Sequence, residues 1–308
     1  MRILLTGSSG TIGTRLFETL LPRHEVVGVD IRKNKWKSEL NRQTLIVDLR
    51  ERKEFARLPT RFDIVIHFAA NARVYELVKE PRLALDNMVM TFNVLEYARR
   101  NGVGGVVFAS SRESYGNIMD EEAISEDRVR LDNCESPYAA SKVSGEAMVQ
   151  AYRKAYGLSF VMVRFSNVYG MYDDSNRVVP LWTRQCMKGE DMIVYGKDKL
   201  LDFTYIDDTV DGVVKAIDGF DKVVGNTFNI AYGEAVGLLD VANMLRRLLN
   251  SNSRMTIEGN RPGEVWKFKA DVSKAKKLLG YSPRVGIEEG LKRSLEWYKG
   301  FYETARKV

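Results

Sequence analysis

Six stretches in the first 170 residues are apolar throughout rather than at alternate positions: RILLTG (2–7), EVVGVD (25–30), TLIVD (44–48), FDIVIHFAA (62–70), GVVFASS (105–111) and LSFVMVRFSNVYG (158–170). Strands with one wet face alternate; strands that are apolar on both sides are covered on both sides. Helix-like segments separate them: TIGTRLFETLL (11–21), ALDNMVMTFNVLEYARRNG (84–102) and SPYAASKVSGEAMVQAYRKAYG (136–157), the last two closed by Gly102 and Gly157. Such βα alternation implies an α/β fold, a doubly wound parallel sheet with helices on both faces.

Beyond about residue 170 the rhythm loosens. MYDDSNRVVP (171–180) reads as loop, PLWTRQCMKG (180–189) as helix, and DFTYIDDTVDGVVKAI (202–217) as another βα unit. NTFNIAYG (226–233) reads as a strand, 236–250 as a helix, 253–281 as irregular, and 286–308 as a terminal helix. A chain of 308 residues exceeds one typical domain. The expected division is 1–165 plus about 203–232 as one unit. Residues of about 166–202 and 233–308 form a smaller C-terminal α/β unit, with the segments interleaved.

Bulk chemistry removes several classes. The net charge of +6 comes from 47 basic and 41 acidic residues interleaved along the chain. Interleaving disfavours a nucleic-acid binder, while the surplus suits anionic small ligands. Cys134 and Cys186 show no ligand spacing, and His24 and His67 are the only histidines, so no metal site is expected. MRILLTG runs straight into a strand, leaving no room for a signal peptide. No apolar run approaches the roughly 20 residues of a membrane span. The expected location is the cytoplasm, without membrane contact.

TGSSGTIG follows the first strand and opens the first helix, placing Gly7, Gly10 and Gly13 around Thr11 and Ile12. Glycines at this spacing let the backbone approach a pyrophosphate, and the helix N-terminus offers free N–H groups to it. Asp30 ends the second strand about 20 residues on, where a carboxylate can grip the ribose 2′-hydroxyl of NAD. Arg32, Lys33, Lys35 and Lys37 follow, and such a basic loop could hold a 2′-phosphate instead. NAD is the expectation, because a carboxylate against a phosphate costs energy. Asp48 and Leu49, ending the third strand, are candidates for adenine contacts; Asp48 reads equally as a plain strand-end carboxylate.

Tyr138 and Lys142 stand four apart behind Ser136 and Pro137. Four apart on a helix is one face, and proline starts helices well. A tyrosine acting as a base near neutrality needs its pKa lowered by about 3 units, about 4 kcal/mol. An ammonium about 5 Å away contributes on the order of 3 kcal/mol at an effective dielectric near 20. The spacing therefore suggests that Lys142, aided by an oxidised nicotinamide ring, keeps the Tyr138 phenol acidic. Surface packing on a helix would produce the same spacing.

Taken with TGSSGTIG, VVGVD, HFAA, NVLEYAR, ASSRESYG, SPYAASKVSGE, RFSNVYG, DFTYIDD and RPGEVWKFKADVSKAKKLLGYSP, the chain resembles the extended short-chain dehydrogenase/reductases. Within them it resembles the nucleotide-sugar epimerase/dehydratase family, nearly end to end. The resemblance implies a Rossmann-like NAD-binding unit and a nucleotide-sugar-binding unit. It gives Ser111 the task of holding the reacting hydroxyl beside Tyr138, and Lys142 a bond to the nicotinamide ribose. Phe68, Ala69, Ala70, Asn87, Ser110 and Phe165 would contact the cofactor. Asn167, Val179 with Pro180, and Arg261 would contact the nucleotide sugar. Homodimers pairing through NVLEYARR and SPYAASK are implied as well.

Two departures stand out. Family members usually carry an arginine where LLDFTYIDD has Leu201, so Lys197, Lys199 or Arg184 is expected to replace a phosphate contact. The acidic pair typical of 4,6-dehydratases is here Arg112–Glu113, which leaves a candidate base and no acid. The activity implied is C4 epimerisation of a nucleotide sugar, UDP-glucose/UDP-galactose, through a 4-keto intermediate. Rival readings are a dehydratase or decarboxylase using Glu113, and a non-catalytic NAD sensor, which would tend to lose Tyr138 or Lys142.

Overall fold

A computed structural model describes residues 1–118 and 122–305. The strands are β1 (Arg2–Thr6), β2 (Glu25–Asp30), β3 (Thr44–Ile46), β4 (Ile64–His67), β5 (Gly105–Ser111), β6 (Ser159–Phe165), β7 (Asn167–Tyr169), β8 (Met192–Tyr195), β9 (Leu200–Tyr205), β10 (Thr227–Ile230), β11 (Ala235–Gly237), β12 (Met255–Glu258) and β13 (Lys267–Phe268). The helices are α1 (Thr11–Leu20), α2 (Val74–Lys79), α3 (Arg82–Arg100), α4 (Pro137–Tyr156), α5 (Val178–Lys188), α6 (Ile206–Asp218), α7 (Phe220–Val223), α8 (Leu238–Leu248), α9 (Ser273–Leu279) and α10 (Ile287–Ala305). The last three residues expected in the terminal helix, 306–308, lie outside the described residues.

Seven parallel strands form the main sheet in the order β10-β6-β5-β4-β1-β2-β3. β1 shows why its sequence is apolar at every position. Ile3 and Leu5 join a core with Leu16 and Phe17 of α1 and Val213 of α6. Leu4 joins the opposite core with Val94 of α3 and Val149 of α4. Alternate side chains point to opposite faces, and both faces are covered. The fold is the Rossmann-like doubly wound sheet that the sequence implies, with a C-terminal second unit.

The run read as one strand over 158–170 is two strands in two sheets. β6 ends at Phe165, and β7 pairs with β9 instead. The Ser166 hydroxyl and the Asn167 amide both donate to the Asp202 carbonyl, which turns the chain toward β9. The second sheet has the order β11-β9-β13, with β7 also on β9. β9 lies wholly in it, and α6 leads from its end back to the core of the main sheet through Val210 and Val213. β10 closes the interleaving by pairing with β6. The segment expected to be irregular, 253–281, contains β12, β13 and α9, and α5 begins inside the expected loop, at Val178. The second unit has its own core, where Trp182, Val194, Phe203, Val241 and Leu291 pack together.

α4 forms where the sequence places it. The Ser136 hydroxyl accepts from Ala139 N–H at 3.1 Å, Pro137 occupies the first turn, and Gly157 ends the helix in the left-handed conformation. This cap fixes Tyr138 and Lys142 in the first turns of a helix packed against β5.

Candidate active site

A cleft of about 1090 Å³ opens at the C-terminal ends of β1, β2, β4, β5 and β6, and the second unit forms its other wall. Open α/β sheets bind ligands in this place. Gly7, Gly10, Thr11, Ile12, Gly13, Asp30, Asp48, Leu49, Phe68, Ala69, Ala70, Ser110, Ser111, Tyr138, Lys142, Phe165, Asn167, Val179 and Arg261 all line it.

One arm starts at the glycine loop. Gly7 has φ +72°, and a Cβ there would come within 2.7 Å of the Ala69 nitrogen; a Cβ on Gly13 would lie 2.0 Å from the Gly7 carbonyl oxygen. Only glycine lets strand, loop and helix close up this tightly. α1 starts at Gly10 with no side-chain cap, so its first N–H groups are available to an anion in the cleft. Asp30 accepts from Ser9 N–H at 3.0 Å and from Arg32 N–H at 3.2 Å. Burial pushes its carboxyl up, against those bonds. The uncapped helix and the strand-end carboxylate fit a dinucleotide with free ribose hydroxyls. Asp48 is held by Arg50 at 2.6 Å, and Phe68 meets Phe165 edge-on at 5.4 Å.

Tyr138, Lys142 and Ser111 meet at the centre. Lys142 Nζ donates to the Ala109 carbonyl at 2.8 Å and sits 5.8 Å from the Tyr138 ring centroid. Burial lowers Lys142 to about 8. The Tyr138 phenol is hydrogen-bonded to Ser111, yet burial pushes it up to about 12. This corrects the sequence expectation. The protein's own groups do not make the phenol acidic, because desolvation outweighs what Ser111 and the neighbouring arginines offset. The ammonium is in place, but the net acidification requires a further positive charge.

Toward the second unit lies a buried ion pair, Arg112 to Glu113 at 2.9 Å. Arg112 also donates to the Asn167 side-chain oxygen at 3.1 Å, and Glu113 accepts from Val265 N–H at 3.3 Å. Burial raises Glu113, and Arg112 opposes it. Arg177 faces Asp173 at 3.5 Å and donates to the Ala72 carbonyl at 3.2 Å.

Asn87 does not line the cleft. Its amide oxygen accepts from Asn71 N–H at 2.8 Å, and its nitrogen donates to the Asn71 carbonyl and the Ser141 hydroxyl. Its amide holds the wall at Asn71. The Ser110 hydroxyl is turned toward Glu146 at 2.5 Å. Of the three candidates to replace an arginine at position 201, only Lys199 lines the cleft; Arg184 is bonded to the Asp174 and Ser175 carbonyls, and Lys197 is exposed. Sequence reasoning missed Trp36, Tyr75, Arg177, Tyr195 and Glu264, lining residues from loops, the short helix α2 and the short strand β8. No periodicity marks them, and the charges of Arg177 and Glu264 were the local signals.

The model of the NAD dependent epimerase/dehydratase family matches residues 3–231. The chain belongs to that family. UDP-glucuronate 4-epimerase 3 of Arabidopsis thaliana is 30% identical, across 99% of this chain and 78% of that protein. The UDP-glucose 4-epimerase of Thermotoga maritima, solved with UDP-glucose, superposes with a TM-score of 0.89 at 28% identity, covering 98% of this chain and 100% of that one. A dTDP-glucose 4,6-dehydratase from Streptomyces venezuelae, solved with NAD bound, gives 0.90 at 27%, covering 99% and 98%. The family, with the glycine loop and Asp30, makes NAD the cofactor. No helix among the described residues is long and apolar enough to cross a membrane.

Proposed function

We propose that this family member inverts C4 of a nucleotide sugar, with UDP-glucose and UDP-galactose as its substrate pair. Tyr138 carries the chemistry: its phenol takes the proton from the sugar 4-hydroxyl as hydride leaves C4, and later returns it to the O4 oxygen when hydride comes back to the opposite face of C4. Ser111, bonded to that phenol, orients the hydroxyl. Lys142, anchored on Ala109, keeps an ammonium beside the ring whichever way the sugar lies. NAD, when bound, supplies the hydride acceptor for C4 and, in its oxidised form, a positive charge. Its holders are the Gly7–Gly13 loop, Asp30, Phe68, Ala69, Ala70 and Phe165. The 4-keto sugar turns over in the cleft, and no net oxidation occurs.

The single observation that separates epimerisation from elimination is the Arg112–Glu113 contact of 2.9 Å. Burial raises Glu113, but its carboxylate must give up Arg112 and Val265 N–H before it can take a sugar proton, and this disfavours it as the eliminating base. The same region bears on the sugar. Arg112 and Arg177 are the two guanidiniums acting on the Tyr138 phenol, and each already faces a carboxylate. A uronate would bring a further carboxylate against these paired groups, so a neutral hexose is favoured. The homodimer is part of the proposal: Leu85 and Phe92, 47% and 45% exposed, stand on one face of α3, which carries NVLEYARR. So is the cytoplasmic location.

The test is incubation of the purified protein with UDP-glucose, UDP-galactose, UDP-glucuronate and dTDP-glucose, with products identified by mass and NMR. Interconversion of the two neutral UDP-hexoses at unchanged mass is expected. Turnover confined to the uronate overturns the hexose assignment, and loss of water or carbon dioxide overturns the epimerase.

A further inference from the structure

The cleft arm that leads away from the glycine loop runs past Val179 and Ile193 to Tyr195. Its charge is concentrated at one point. Lys199, only 5% exposed, places Nζ 2.5 Å from the Glu264 carboxylate. Arg261 lies 4.0 Å from the other oxygen of the same carboxylate. Its guanidinium is held between two rings, 3.8 Å from the Tyr195 centroid and 4.8 Å from that of Tyr75. One carboxylate thus serves two cations, and an excess positive charge remains in a cleft wall. An ammonium has three donors; Glu264 takes one of those on Lys199. Burying a lysine is costly unless its charge is answered.

The strand explains the placement. Lys199 immediately precedes β9, and Leu201, two residues on, shares its face and is also 5% exposed, whereas Leu200 is turned outward at 42%. Position 201 contributes an apolar side chain to the core of the second unit, and position 199 contributes the charge to the cleft.

We propose that Lys199, aimed by Glu264 and acting with Arg261, is the diphosphate-binding cation of this cleft. The inference rests on the nucleotide-sugar reading above. A sugar held at Tyr138 needs its diphosphate in this arm, and the two free donors of Lys199 meet phosphate oxygens there. Glu264 is a positioning residue, which holds the ammonium without neutralising the pair of cations.

Binding of UDP and of uridine to the NAD-loaded protein tests this by calorimetry, with bound NAD serving as the check on folding in each variant. Lys199→Met should weaken UDP about 10- to 100-fold and leave uridine unchanged. Lys199→Arg should stay within a few-fold of wild type. Glu264→Gln keeps both cations and should hold or tighten UDP. Unchanged UDP binding in Lys199→Met overturns the proposal. So does an equal loss in Lys199→Met and Glu264→Gln, which would mark a merely structural pair. Wild-type protein that binds neither UDP nor dTDP would instead overturn the nucleotide-sugar reading, and this inference with it.

Discussion

The ammonium of Lys142 lies 5.8 Å from the centroid of the Tyr138 ring and is anchored by the Ala109 carbonyl at 2.8 Å. The anchor comes from β5 and the pair from α4, so the charge stays beside the phenol, held by a carbonyl and with the Glu146 carboxylate acting on it from the next turn of α4. Burial opposes both ionised forms, moving the phenol up to about 12 and the ammonium down to about 8. Function and stability are therefore in tension at this point.

That tension has a measurable sign. The folded pKa of Lys142, about 8, lies below its ordinary 10.5, so between those values the unfolded chain binds more protons than the folded one. The cost of burying the charge is fully present below pH 8 and is relieved as pH rises toward 10.5. Wild type should gain about 1.4 kcal/mol per pH unit in this window relative to Lys142→Met, read by urea unfolding. A pH-independent difference would show that the lysine is not buried as a cation.

Turnover should run the other way. Loss of the ammonium above about pH 8 removes support for the ionised phenol, so activity should fall on the alkaline side. Lys142→Arg, charged throughout this range, should retain any residual activity to higher pH.

Asp30 is expected to set cofactor choice. Asp30→Ala should weaken NAD about 10-fold or more, since bonds to charged groups are worth about 1.5–3 kcal/mol. NADP should lose less, because the carboxylate that repels its phosphate is gone. Equilibrium titration with both cofactors checks this.

Glu113→Gln should leave the product unchanged while destabilising the protein. Removing one partner of a buried ion pair costs about 3–5 kcal/mol. A lower melting temperature with epimerisation retained is the expected result. Loss of chemistry in a fully folded variant would point to Glu113 as a base.

Much of this was legible in the sequence, for physical reasons. Strands such as β1 and β5 are buried on both faces, so their composition declares the parallel sheet. Ser136, Pro137 and Gly157 bound α4 through local bonds that depend on nothing distant. The break at Ser166 was hidden because apolar residues continue on both sides of it, and what ends β6 is a bond to Asp202, far along the chain. β13 has two residues and β11 three, too short for any period to show. Asn87, expected at the cofactor, is turned on α3 toward Asn71, a placement set by packing that the sequence does not print. The sign of the Tyr138 shift depends on how much protein covers the ring, and spacing does not carry that information.

Most direct is the turnover of UDP-galactose by the Tyr138→Phe protein, with bound NAD quantified in the same preparation. The account predicts a loss of about a thousand-fold or more with NAD content intact. Turnover near the wild-type rate, in protein carrying its full complement of NAD, would contradict it.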